Sequence, residues 1–134
     1  MKGTTVKKLD VVLAAGLLSL AIASTLSAQE KKAMKEVTIT GEIIDTKCYV
    51  IGMMGGRGEE HKQCAIDCIN GGLPVGIVED KTDKVYVVVP KSPGMKGANE
   101  DLVKYAAERV KLTGNVVEKG GQRLFVYTKV EEVK

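Results

Sequence analysis

All three cysteines and the only histidine of this 134-residue chain fall in one stretch, at Cys48, His61, Cys64 and Cys68. The spacing is C-x12-H-x2-C-x3-C. Three sulfurs and an imidazole are soft donors that suit Zn2+ or Cu(I), and a Cys3His set can close a tetrahedral site. His61, Cys64 and Cys68 stand at i, i+3 and i+7. On an α-helix those side chains share one stripe, within about 60° of one another. Cys48 has to reach that stripe from another element, the end of a strand-like run. The expected site is therefore a metal ion held by Cys48, His61, Cys64 and Cys68.

The same residues carry two other readings. A disulfide suits an oxidising compartment, and a bond from Cys48 to Cys64 or Cys68 would staple strand to helix. Either pairing leaves one cysteine over. The protein would then be a stapled interaction module without metal. Thiol-disulfide exchange is the third reading, since a neighbouring His+ lowers a thiol pKa. Its usual motif is C-x2-C after a strand, whereas this chain has C-x3-C in a β pattern.

Met53 and Met54 follow Cys48 in a glycine-rich loop. Thioethers suit Cu(I), though such a pair more commonly fills gaps or forms a flap. Asp45, Glu59, Glu60 and Asp67 read as solvated charges. The glycine run lacks the Gly-Lys-Ser/Thr ending of a phosphate loop, and a Cys-His nucleophile has no need of three cysteines. No enzyme activity is expected.

These donors need elements to hold them. Val37 to Thr40 alternates apolar and polar, as a strand does. Gly41 marks a bend or bulge, and the strand resumes from Glu42 towards Cys48. Gly52, Gly55, Gly56 and Gly58 form a loop. Glu59 and Glu60 suit a helix start, and that helix runs to about Asn70. Gly71-Gly72 stops it and Pro74 forbids its continuation. Ala65 and Ile69 flank the His-Cys stripe, so the cysteines border the core. Strands follow over residues 75–79 and 84–90. Asn99 reads as an N-cap for a short helix over 101–108. Strands at 110–117 and 124–130 are joined by a turn centred on Gly120-Gly121.

The order β, α, β, β, α, β, β predicts a mainly β protein with two short helices. The fold is a five-stranded OB-like barrel with the Cys/His-bearing helix inserted between strands 1 and 2. An SH3-like small barrel is the alternative.

The N-terminus is basic at Lys2, Lys7 and Lys8, apolar over residues 11–22, then small-residue up to Ala28. That order predicts a secretory signal peptide, residues 1–28. A flexible leader, 29–36, and the OB-like domain, 37–133, follow. The protein is expected to be periplasmic or secreted, with no stable membrane span in the mature chain. Losing three lysines and one aspartate takes the formal charge from +3 to +1. No basic patch remains to hold nucleic acid, and with no Trp and one Phe there is no stacking platform. The expected partners are the metal ion and another exported protein. A core this small gains from a metal or a disulfide.

The stretches Gly41-Glu-Ile-Ile-Asp-Thr-Lys-Cys48, His61-Lys-Gln-Cys64-Ala65-Ile-Asp-Cys68 and Gly72-Leu-Pro74-Val-Gly76 resemble a family of small exported bacterial proteins that is largely uncharacterised. The resemblance covers residues 37–130. It implies an exported OB-like domain with a Cys/His site on Cys48, His61, Cys64 and Cys68, and supplies no activity.

Overall fold

A computed structural model describes residues 34–133. The expected signal peptide, residues 1–28, and residues 29–33 of the leader lie outside the described residues. Five strands form the frame: β1 (Glu36–Asp45), β2 (Val75–Glu79), β3 (Val85–Pro90), β4 (Arg109–Lys119) and β5 (Gln122–Glu132). They close a barrel in the order β1-β2-β3-β5-β4. Only β3 and β5 run parallel; the other neighbours are antiparallel. This is the five-stranded OB-like barrel, mainly β with short helices.

Closure depends on β1, which serves two partners. Its first half, from Glu36 to Glu42, pairs with β4. Its second half, from Gly41 to Asp45, pairs with β2. Gly41 belongs to both ladders, facing Val110 and Glu79. The sequence marks Gly41 as an interruption, yet β1 runs through it unbroken. What Gly41 supplies is room, since a Cβ there would overlap the Val78 carbonyl oxygen. Gly114 does the same on β4, beside a register shift at Thr113/Gly114, where a Cβ would overlap the Val126 carbonyl oxygen.

The interior is filled from every strand by buried side chains, among them Ile43, Ile77, Val88, Val110, Leu112 and Phe125. Each such burial is worth about 1.5–3 kcal/mol. Tyr86 meets Phe125 edge-on, with ring centres 6.1 Å apart. The last hairpin turns through Gly120 and Gly121, both at positive φ (58° and 78°), as a tight two-residue turn requires.

Among the described residues three short α-helices sit on this frame: α1 (Thr46–Ile51), α2 (Lys62–Asn70) and α3 (Asn99–Leu102). Helix α3 lies between β3 and β4, as expected, but is shorter than 101–108. It passes into a 3-10 turn at Val103–Tyr105, and Ala107 takes positive φ. There the chain bonds to the barrel instead, with Ala107 N–H donating to the Ile43 carbonyl (2.8 Å) and Ile43 N–H to that of Glu108 (3.0 Å). Asn99 is not a cap either. The residue before α3 is Ala98, and the Asn99 amide donates to the carbonyls of Ile69 and Leu73, each at 2.8 Å. It thereby ties the end of α2 and the Leu73 carbonyl to the start of α3. Among the described residues no helix is long and apolar enough to cross a membrane.

Candidate metal centre

The site is built where β1 gives way to helix. Asp45 ends β1 in an extended conformation (φ −81°, ψ 130°), and its Oδ1 accepts the Cys48 N–H at 2.8 Å. That is an N-cap, and it starts α1. Cys48 therefore lies one turn inside a helix that the sequence reading leaves as strand end, and it is buried, 1% exposed. Gly52 closes α1 in the left-handed conformation, φ 72°. The chain then returns beneath α1 through Gly56, where a Cβ would stand 2.6 Å from the Tyr49 Cα. Buried Glu42 holds this loop, accepting from the Gly58 N–H (2.5 Å) and the Arg57 Nε (3.1 Å).

The next stretch departs from one continuous helix. Glu59–His61 is a 3-10 turn, and α2 begins only at Lys62. A 3-10 turn winds more tightly than an α-helix, so His61 leaves the stripe expected for it. Its ring is fully buried, whereas Cys64 and Cys68 on α2 are partly exposed. Ala65 and Ile69 anchor α2 in the core, which puts the cysteines at its border. The helix ends at Gly71, and Gly72 takes φ 93°.

The sulfurs of Cys48, Cys64 and Cys68 all lie within 4.8 Å of one another, and those of Cys48 and Cys68 are 3.9 Å apart. All three are free thiols. Two sulfurs bound to one ion at about 2.3 Å each can be no more than about 4.6 Å apart, so the Cys48–Cys68 spacing fits a shared ion. A second group consists of Asp45, Cys48 and His61, with donor atoms again within 4.8 Å of one another. The four expected donors thus fall into two groups that share Cys48, and no His61 nitrogen lies within 4.8 Å of all three sulfurs.

Asp45 is the residue that sequence reasoning missed. Read as a solvated charge, it is in fact fully buried, with its Oδ2 3.1 Å from the His61 Nε2. The available signal was its place three residues before Cys48, the offset of an N-cap acid. His61 Nδ1 is buried with no hydrogen-bond partner.

The Cys48 and Cys68 thiols are held protonated. Burial pushes the Cys48 thiol up to about 12, with help from hydrogen bonds to Asp45 and Cys68. Burial raises Cys68 too, against an opposing contribution from its bond to Cys48. Such a thiol is a poor nucleophile. A soft cation changes this balance, because it supplies the positive charge that burial denies the thiolate and drives the proton off. An open cleft of about 400 Å3 bounded by Thr38, Thr40, Asp80 and Arg109 contains none of these residues.

Comparison with family models, with curated proteins and with solved structures finds no match for this chain.

Proposed function

We propose that this protein is an exported metal-binding domain that holds one soft ion through Cys48, Cys64 and Cys68, with His61 as fourth ligand for Zn2+. The observation that carries the reading is the gathering of three sulfurs from two helices within 4.8 Å. The fourth ligand distinguishes the two candidate ions. Zn2+ favours four donors in a tetrahedron and so calls on His61. Cu(I) is satisfied by soft sulfur and needs only the cysteines. Export rests on the basic, apolar, small order of residues 1–28, and places the domain in the periplasm or outside the cell.

The competing reading is a disulfide from Cys48 to Cys64 or Cys68, with the Cys48 and Cys68 sulfurs 3.9 Å apart. Protein taken from its native compartment decides between them. Elemental analysis together with a thiol count under denaturing, metal-chelated conditions should give one metal per chain and three thiols. One thiol and no metal would establish the staple instead. Intact mass should begin near Gln29; a retained Lys2 would overturn export by cleavage.

A further inference from the structure

The Asp45 carboxylate binds both halves of the site at once. Its Oδ1 takes the Cys48 backbone N–H and its Oδ2 faces the His61 Nε2. Neither side chain is exposed beyond 1%. Each oxygen thus holds one neighbour in place. A carboxylate accepts hydrogen bonds and does not donate them, so the ring hydrogen belongs on Nε2. In the neutral ring that leaves Nδ1 as the acceptor, buried and without a partner. A buried acceptor without a partner is costly, and one facing no protein donor is ready for a cation.

We propose that Asp45 is a positioning residue that locks His61 in the Nε2–H form and so makes Nδ1 the metal-donating atom. The donor half of this inference rests on the metal reading above; the tautomer half does not. Carboxylate–histidine–metal chains of this kind orient the ring and raise its basicity. Here the same carboxylate also caps the helix that carries Cys48, so one side chain sets the position of two ligands.

The chain has a single histidine, so its ring nitrogens can be read without ambiguity in 15N-labelled full-length protein. In the metal-free state at neutral pH, long-range 1H–15N correlation should show Nε2 protonated and Nδ1 bare. On titration with Zn2+, the Nδ1 resonance should shift while Nε2 keeps its hydrogen. A hydrogen on Nδ1 in the metal-free state would overturn the proposal. A Zn2+-induced shift at Nε2 with Nδ1 unchanged would overturn the assignment of the donor. Asp45→Asn keeps the capping oxygen and removes the charge; it should weaken Zn2+ binding about 10- to 100-fold in chelator competition. A change under twofold in that variant would overturn the positioning role. If the wild-type protein takes up no Zn2+ at all, the metal reading and the donor half fail together, while the metal-free tautomer still decides what Asp45 does.

Discussion

The Sγ atoms of Cys48 and Cys68 stand 3.9 Å apart although twenty residues separate them in the chain. One sulfur belongs to the single buried residue of α1 and the other to the partly exposed side of α2. This asymmetry makes the thiols distinguishable by reagent. In reduced, metal-free protein, maleimide should label Cys64 and Cys68 first and Cys48 last, because Cys48 is buried and its thiol is held protonated. Zn2+ should protect all three. Peptide mass spectrometry over a time course reads both effects; Cys48 labelling as fast as Cys64 would contradict the burial argument.

The raised Cys48 pKa also has a consequence for the metal-free fold. The folded value, about 12, lies above the ordinary 9.0. Between those values the folded chain keeps a proton that the unfolded chain has lost, so stability falls as pH rises through this window. Below about pH 9 the group contributes its full effect. Tyr127, pushed up to about 12 by burial and its bond to Asp101, acts in the same direction from its ordinary 10.0. Urea midpoints of the metal-free protein should therefore drop from pH 8.5 to pH 11 in wild type, and drop less in Cys48→Ser. Equal slopes in the two proteins would show that Cys48 titrates normally.

Glycines offer a test that separates the barrel from the site. Gly41→Ala forces a Cβ into the Val78 carbonyl, and overpacking of this kind costs about 1–3 kcal/mol, occasionally more. The loss should appear as a lower urea midpoint, with metal stoichiometry kept in the folded fraction. Gly56→Ala strains a residue at φ 70° and pushes on the α1 backbone beside Cys48, so it should lower metal affinity as well. Gly120→Ala, in open space at φ 58°, should cost stability alone. If Gly41→Ala and Gly56→Ala affect metal affinity equally, α1 is not the element that sets the Cys48 position.

The barrel was legible because its signals are local. Alternation marked β1, β3 and β5, two glycines marked the last turn, and the order of elements fixed the topology. The gathering of Cys48 with Cys64 and Cys68 was legible from their spacing. Three things were not. Helix α1 is only six residues long, too short for periodicity to reveal, and its one marker is the Asp45 cap. The 3-10 turn at His61 breaks a stripe that looks continuous when every residue is assigned 100° of rotation. The burial of Asp45 depends on a partner sixteen residues away, and no spacing rule ties a strand-end acid to a histidine across a glycine loop.

The burial of His61 decides how its role can be tested. In a stapled protein without metal, a surface histidine could be replaced by alanine at little cost. His61 is not at the surface: its ring is the buried partner of the Asp45 carboxylate. His61→Ala would leave the Asp45 Oδ2 without its donor, and an unsatisfied buried acceptor costs about 1–3 kcal/mol, more for a charged group, whether or not a metal is present. A lower melting temperature in His61→Ala therefore decides nothing. His61→Gln keeps an N–H donor for Asp45 and removes the imidazole. The quantity to measure is the rise in melting temperature on adding ion, which reports binding to the folded state alone and reaches about 2.7 kcal/mol at a hundredfold excess over Kd. Wild type should be stabilised by both Zn2+ and Cu(I). His61→Gln should lose most of the Zn2+ effect and keep the Cu(I) effect, since three sulfurs remain. Cys48→Ser should lose both, because Cys48 is the donor common to the two groups. A full Zn2+ shift in His61→Gln would remove His61 from the ligand set, and a full shift in Cys48→Ser would refute the site.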